Sequence, residues 1–386
     1  MPKWIGDGRN TDSPVKWEVA ILIRDRELFP IWEKIKRGER LDARDGLRLF
    51  ESDDLLGLGL MANWLKEKKT GNFAFFVLNR QINPTNICVL SCRFCDYATK
   101  KNRPGAYALS EQQIIAGLSE DIKEVHITSA LNNDWDFGGY LRVVELIKER
   151  FPHIQIKAYT AVEIDYFARR EKTSVANILK RLMAAGVVCL PGGGAEVFSE
   201  RVRKSLFPFK IGASRWLEIH RAAHQMGLKS NATMLYGHIE TYEERLAHLL
   251  KLRELQDETR GFLSFVPLAY QPGRTKVVPR QASPTEDLKT IAVSRLLLDN
   301  FDHIKAYWVT MGEDTASAAL YFGADDLDGT VGGEKIMHAA EASSPAALTR
   351  ELLVKLITEA GRIPVERDCL YNVIRAHEPV QEAVNA

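Results

Sequence analysis

The feature that most constrains the fold is a regular alternation of short apolar segments with amphipathic ones between about residues 73 and 335. Helix start signals separate the apolar segments, including capping boxes at Ser110–Gln113 and Thr241–Glu244 and a proline at position 284. This alternation predicts parallel strands joined by right-handed helical crossovers. The predicted strands are Phe73–Asn79, Glu124–Thr128, Gln155–Tyr159, Val187–Leu190, Lys229–Leu235, Phe262–Leu268 and His303–Trp308.

The number of these units predicts an α/β protein built on a full or partial TIM-like (β/α) barrel. Six or more units fit a barrel better than an open sheet, and no G-x-G-x-x-G fingerprint follows the first strand. We predict the barrel over residues 73–338, an N-terminal helical extension over 1–72 and a C-terminal helical tail over 339–386. In such barrels the site lies at the C-terminal ends of the strands.

Composition excludes some classes of partner. The formal net charge is +1, which gives no basic surface for nucleic acid. The N-terminus lacks the apolar segment of a signal peptide, and no apolar run is long enough to span a membrane. We therefore expect a cytoplasmic protein that binds neither nucleic acid nor membranes.

Three of the five cysteines, Cys88, Cys92 and Cys95, lie within one stretch of eight residues after the first predicted strand. Clustered thiolates on a short loop suit a soft metal centre, and an iron–sulfur cluster fits best. A cubane cluster normally takes four cysteines, so three would leave one iron open for chemistry. A zinc site would need a fourth ligand at finger-like spacing, and the next histidine is His126. The odd cysteine count disfavours a disulfide framework.

Residues at the predicted strand ends are site candidates. Ser129 follows the second strand, Glu163 the third, and Gly192-Gly193-Gly194 with Glu196 the fourth. These glycines would let a ligand approach the backbone, or would only form a tight turn.

Two candidates come from later strand ends. For His238, after the fifth strand, a site role and a purely structural role are both open. Asp326 lies in an acidic segment, Asp325–Asp328, within the stretch Phe322–Thr330 that we expect to be a loop. Such loops are often only solvated, although this one would face the cysteines if the barrel closes there.

The cysteine spacing, with Phe94 before the last cysteine, resembles the cluster motif of radical S-adenosylmethionine (SAM) enzymes. Other segments resemble a small group of that superfamily, which contains aminodeoxyfutalosine synthases, cyclic dehypoxanthinylfutalosine synthases and deazaflavin-cofactor synthases. Gly323–Thr330 and Gly361–Asp368 are most similar to the aminodeoxyfutalosine synthases. The resemblance spans roughly residues 35–375 and also includes Leu78–Asn86, Gly192–Phe198, Asn231–His238 and Glu254–Thr259.

The resemblance implies a [4Fe-4S] cluster on the three cysteines, with SAM chelated to the open iron as co-substrate. The implied SAM-binding residues are Phe94, Ser129, Glu163, Glu196 and Arg201. Arg201 and Arg274 are also candidate partners for substrate carboxylates, although each could be an ordinary surface arginine. His238 and Asp326 are the candidate catalytic residues.

The reaction implied is addition of the 5′-deoxyadenosyl radical to the enol ether of 3-[(1-carboxyvinyl)oxy]benzoate. Rearrangement and loss of a carboxylate would give 6-amino-6-deoxyfutalosine for menaquinone biosynthesis. A low-potential electron donor such as flavodoxin or ferredoxin is implied. The related cyclase or a deazaflavin-cofactor synthase is the alternative within the group, and a non-catalytic electron carrier, which would normally have four cysteines, is the alternative outside it.

One segment departs from the family pattern. Where the group usually has Gly-Gly-Leu-His-Pro after the second strand, this chain has Ser129-Ala130-Leu131-Asn132-Asn133. Because the two glycines are missing, it is open which atoms of this chain contact the SAM amino group. Because the histidine is missing, it is open whether another residue fills its role.

Overall fold

The computed structural model describes residues 22–377. The outer parts of the predicted N-terminal extension and C-terminal tail lie outside the described residues. Among residues 22–377, no helix combines the length and the apolar character needed to cross a bilayer.

Fifteen α-helices and eleven strands make up the described chain. The helices are α1 Phe29–Arg37, α2 Ala43–Glu51, α3 Leu55–Thr70, α4 Glu111–Ile115, α5 Phe137–Arg150, α6 Ala161–Arg170, α7 Val175–Ala185, α8 Glu200–Leu206, α9 Ala213–Gln225, α10 Tyr242–Thr259, α11 Pro284–Leu297, α12 Trp308–Met311, α13 Glu313–Ala319, α14 Ile336–Ala339 and α15 Arg350–Glu359. The strands are β1 Phe73–Val77, β2 Asn79–Ile82, β3 Glu124–Ile127, β4 Gln155–Ala158, β5 Val187–Leu190, β6 Lys229–Tyr236, β7 Phe262–Ala269, β8 His303–Ile304, β9 Asp326–Gly329, β10 Ile363–Arg367 and β11 Val373–Ala376.

The predicted parallel barrel sheet is confirmed. Strands β2 to β8 form one seven-stranded parallel sheet in sequence order, with helices in the connections. The predicted capping boxes open α4 and α10, and Ser283 caps α11 ahead of its proline. The last predicted strand is shorter than expected, because the chain enters α12 at Trp308.

The first predicted strand divides at Leu78 into two strands with different partners. Strand β2 pairs with β3, whereas β1 pairs with β9 and β10 in a second sheet. Single bridges connect Lys305 to Asp326 and Arg80 to Gly332. The chain from β9 to Gly332 therefore lies between β8 and β2, where a closed barrel would have its last strand.

The prediction of a loop at Asp325–Asp328 is wrong for the part that forms β9. Its main chain pairs with neighbours on both sides, since the N–H of Ala306 donates to the carbonyl of Asp326 at 2.8 Å and β1 lies on the other side. Asp325 is fully buried and pairs with Arg295 at 2.9 Å. Buried cations, rather than solvent, therefore balance this acidic segment.

The C-terminal segment contains the expected helix, α15, and two strands that local patterns did not indicate. Strand β10 runs parallel to β1, and β11 runs antiparallel to β10. The division of the chain at residues 72 and 338 stays a prediction, and β10 crosses it by pairing with β1. In the N-terminal extension, α2 and α3 pack on the barrel helices α10 and α11.

Candidate active site

A cavity of about 250 Å³ opens at the C-terminal ends of the barrel strands. Cys88, Cys92 and Cys95 all line it, together with predicted strand-end residues. Most of its wall is apolar, including Leu235 and Leu268. The cysteine motif and the barrel mouth therefore form one site, as the sequence predicted.

Main-chain contacts fix the loop that carries the cysteines. The N–H of Cys88 donates to the carbonyl of Thr99 at 2.9 Å. The Lys100 ammonium donates to the carbonyls of Cys88, Val89 and Leu90 at 2.9, 3.1 and 2.9 Å. One cation thus holds three successive carbonyls, which orients the first cysteine.

The loop after β7 holds the other end of the cysteine segment. The N–H of Arg274 donates to Oδ2 of Asp96 at 3.0 Å, and its guanidinium donates to the Asp96 carbonyl at 2.8 Å. Gly273 has φ 44°, and a Cβ there would overlap the Asp96 carboxylate and lie 2.9 Å from Cα of Ala340. Arg274 therefore positions the residue next to Cys95 and does not line the cavity.

The donor set fits a cluster with one open iron. Within residues 22–377, no three His, Cys, Asp or Glu side chains converge as ligands of a single metal ion. The three cysteines line the same cavity, and in a cubane cluster each thiolate would bind a separate iron. Burial raises the pKa of the Cys92 thiol to about 11, so binding a metal there would release a proton.

Glu163 links two elements at the rim of the cavity. It completes a capping box at the start of α6, where its Oε2 accepts the N–H of Thr160 at 2.7 Å. Its Oε1 accepts the N–H of Ser129 at 2.7 Å. Burial raises the pKa of Glu163 to about 7, although these hydrogen bonds oppose the shift. Glu163 thus fixes the backbone of the segment that departs from the family pattern.

The replacement of the two family glycines by Ser129 and Ala130 does not strain the local backbone. Ser129 and Ala130 are not among the described residues with positive φ, so their side chains need no glycine conformation. Asn132, at the usual histidine position, is buried, and its N–H donates to Tyr140 Oη at 2.6 Å. The N–H of Val89 donates to the Leu131 carbonyl at 2.9 Å, so the segment also supports the cysteine loop.

A second rim cluster surrounds Glu196. This residue lines the cavity with φ 49°, a conformation uncommon outside glycine, and forms an ion pair with Lys210. The Lys210 ammonium also lies 5.2 Å from the ring centroid of Phe94, which packs edge-on against Phe207. The structure thus brings Phe94 and Glu196 together and adds Lys210, which the sequence analysis missed.

The glycines after β5 have a packing role and also line the cavity. A Cβ at Gly192 would lie 2.6 Å from the main chain of Ala232. Gly194 has φ 85°, and a Cβ there would lie 2.6 Å from Cγ2 of Val162. The glycines therefore form a tight turn, and the approach of a ligand to their backbone at the cavity stays a prediction.

Three predicted site residues lie away from the cavity. Arg201 pairs with Glu244 at 2.7 Å on the exposed side of α8. His238 is buried, with Nδ1 2.8 Å from Oε2 of Glu240. Asp326 is buried in β9 against Arg367 at 2.7 Å. Local partners satisfy each of them, and none lines the cavity.

The floor of the cavity consists of polar residues, and apart from Asp328 of the predicted acidic segment the sequence analysis missed them. They project from strand interiors and include Gln81, His126, Lys157, Asn231 and Asp328. A signal was present, since polar residues inside otherwise apolar barrel strands face either solvent or the barrel interior. Only the pairing register shows that several of them meet.

Two family models match the chain. The Radical SAM superfamily model matches residues 82–252 and therefore spans the cysteine motif and the strands from β3 to β6. The model described as the CofH/MqnC C-terminal region matches residues 259–380. Together they account for the barrel and most of the C-terminal segment.

Curated relatives are similar over nearly the whole chain. The aminodeoxyfutalosine synthase of Thermus thermophilus is 44% identical over 93% of this chain and 99% of its own. The aminodeoxyfutalosine synthase of Streptomyces coelicolor is 41% identical over 90% and 94%. The crystal structure of methylornithine synthase matches with a TM-score of 0.66 at 19% identity, covering 86% of this chain and 96% of that one. At that identity the structural match shows a shared fold alone.

Proposed function

Because this chain belongs to the radical SAM superfamily and, within it, to the family of the aminodeoxyfutalosine synthases, we propose that it forms 6-amino-6-deoxyfutalosine from SAM and 3-[(1-carboxyvinyl)oxy]benzoate. It is a radical SAM enzyme of the menaquinone futalosine pathway. A cytoplasmic location and a low-potential donor such as flavodoxin or ferredoxin belong to the proposal.

One observation carries the proposal: the three motif cysteines share a cavity with Ser129, Glu163 and Glu196. Such a cavity can bring a cluster and a nucleoside-bearing ligand together. When bound, the cluster and SAM would supply a 5′-deoxyadenosyl radical for addition to the enol ether, with the one electron needed coming from the low-potential donor. The chain itself binds, orients and encloses the reactants.

The rim residues have distinct roles in the proposal. Cys88, Cys92 and Cys95 hold three irons. Ser129 presents its main chain to SAM, and Glu163 keeps that main chain in place. All five residues line the cavity, which supports these assignments.

Glu196 and Phe94 form the second part of the proposed SAM site. Glu196 faces the ribose hydroxyls, and Lys210 holds its carboxylate in place. Phe94 lies beside the adenine, braced by Phe207. Arg201, His238 and Asp326 have no role here, because other side chains hold them away from the cavity.

The apolar wall suits an aryl substrate and a radical reaction. Leu235, Val266, Leu268 and Met337 line the cavity and would enclose the ring. Apolar surroundings keep water from the site and favour burial of the aromatic ring. The part of α14 that carries Met337 covers one side of the cavity.

The test is anaerobic reconstitution with iron and sulfide, followed by reduction in the presence of SAM and the benzoate substrate, with mass analysis of the products. A species that joins the adenosine and benzoate skeletons supports the proposal. Free 5′-deoxyadenosine without an adduct would retain radical SAM chemistry and overturn the substrate. The Cys88→Ala variant is the control and should yield neither product.

A further inference from the structure

Three neighbouring strands place polar side chains in one row across the cavity floor. Gln81 of β2 is in register with His126 of β3, which is in register with Lys157 of β4. All three side chains line the cavity. Inward-facing residues at one level of a barrel form a layer, so this row is a continuous polar floor.

Lys157 places a buried cation in that floor. It is 3% exposed, and its Nζ lies 2.6 Å from Oε1 of Glu124. The Glu124 oxygens have no well-directed hydrogen bond. Burial opposes the charge, but Glu124 raises the pKa of Lys157 above its ordinary value, so the side chain is an ammonium.

The Lys157 ammonium has unused donors. It has three N–H groups and contacts one carboxylate, and no hydrogen bond to another protein acceptor reaches it in the described part of the chain. Glu124 has a second cation, since Arg367 lies 3.9 Å from its Oε2. Lys157 can therefore bind a ligand anion without leaving Glu124 unpaired.

The neighbouring groups also suit an anion. Burial lowers the pKa of His126 to about 3, so its ring is neutral, with Nε2 2.9 Å from Oγ1 of Thr128. Asp328 is the acidic neighbour, and Lys305 forms an ion pair with it. A buried ammonium with N–H groups to spare favours an anionic ligand that can accept hydrogen bonds from them.

The depth of the row indicates which end of a ligand it meets. His126 is three residues before Ser129 in the chain, or about 10 Å along a strand. The enol ether must lie at the cysteine rim, where the radical is generated. The carboxylate attached to the enol ether therefore stays near the rim. The carboxylate on the aromatic ring is at the other end of the molecule.

We infer that Lys157, with His126 beside it, forms a carboxylate-binding subsite at the cavity floor that takes the aryl carboxylate of the benzoate substrate. This inference rests on the proposed function for the identity of the ligand. In this inference the cavity floor binds a carboxylate of the substrate, a role for which the sequence analysis had named Arg201 and Arg274 as candidates. Lys157 is a positioning residue that fixes the distance between the ring and the rim.

The test is a binding comparison that requires no turnover. Protein loaded with the cluster and SAM, without reductant, is dialysed against the benzoate substrate and against its aryl carboxamide analogue. We expect the carboxylate to bind about 10 to 100 times more tightly, as for a charge-assisted hydrogen bond in a buried site. In Lys157→Met/Glu124→Gln, which removes both charges together, the preference should fall below about threefold.

Lys66→Met is the matched control. Lys66 is also fully buried, but its ammonium donates to the carbonyls of Gly71 and Phe73 at 2.9 and 2.8 Å, and it does not line the cavity. Its loss should leave the preference for the carboxylate unchanged. Should the double variant fail to load SAM, His126→Leu tests the same subsite with the ion pair intact, and its preference should fall at least about threefold.

The outcomes separate this inference from the proposed reaction. Adduct formation by the wild type, with the carboxylate preference retained in both the double variant and His126→Leu, would overturn the subsite alone. A preference that depends on Lys157, without any adduct, would support the subsite and overturn the synthase reaction. Failure of the wild type to bind either ligand would overturn both.

Discussion

The main-chain N–H of Ser129 donates to Oε1 of Glu163 at 2.7 Å, which joins the end of β3 to the start of α6 at the cavity rim. The same carboxylate caps α6 through Thr160. A side chain that caps a helix therefore also orients the strand end proposed to meet SAM. The Ser129 backbone is fixed in this way without the glycines usual in the family.

Glu163→Gln should weaken SAM binding about tenfold, as expected for the loss of one buried hydrogen bond of about 1.5 kcal/mol. Glutamine has one acceptor oxygen, which cannot serve both Ser129 and Thr160. The dissociation constant of SAM for the cluster-loaded protein measures this effect. Glu244→Gln is the matched control, since Glu244 completes the capping box of α10 away from the cavity. Equal losses of affinity in both variants would contradict a specific role for Glu163.

Replacing any one of Cys88, Cys92 and Cys95 with alanine should abolish the cluster, because each supplies one iron ligand. Iron content and the spectrum of the reduced cluster measure the loss. Cys189→Ala is the control, since Cys189 is fully buried in β5 and does not line the cavity. A variant of the motif that keeps a full cluster would show that its cysteine is not a ligand.

Gly273→Ala should shorten the lifetime of the cluster in air several-fold. The added Cβ would overlap the Asp96 carboxylate and push the segment next to Cys95 out of place. Gly71→Ala is the control, because Gly71 also has positive φ, 59°, but nothing lies within 4 Å of the added Cβ. Backbone strain destabilises both variants by about 1 to 3 kcal/mol. Equal cluster lifetimes would show that the contact with Asp96 is unimportant.

The free energy of unfolding should fall with rising pH because of Asp287. Burial raises the pKa of Asp287 to about 7 from 3.8, against the hydrogen bond from Tyr236 at 2.6 Å. The folded state therefore holds a proton that the unfolded state has lost, so the free energy of unfolding falls from about pH 4 until the folded group ionises near pH 7. Between pH 5 and 8 we expect a loss of about 2.5 kcal/mol relative to Asp287→Asn. Parallel pH profiles of the two proteins in denaturant unfolding would contradict this.

Local patterns in the sequence determined the strands, the helix starts and the cysteine motif proposed to hold the cluster. The periodicity of apolar residues and the helix-capping signals depend on neighbours within a few residues. The strand Val187–Leu190 and the helix cap at Ser110 could therefore be predicted from the sequence. The spacing of Cys88, Cys92 and Cys95 is likewise local and needs no fold to be recognised. The order of strands β2 to β8 followed because consecutive units pair in sequence order.

Only the tertiary structure decided which polar side chains reach the cavity. Arg201 and His238 are held by nearby carboxylates, and a strand-end position does not reveal such partners. Lys157 and His126 meet at the floor because the strands pair in one particular register, and a shift of one residue would turn both away. Pairing across long sequence separations, as between β1 and β10, depends on the whole fold and leaves no local signal.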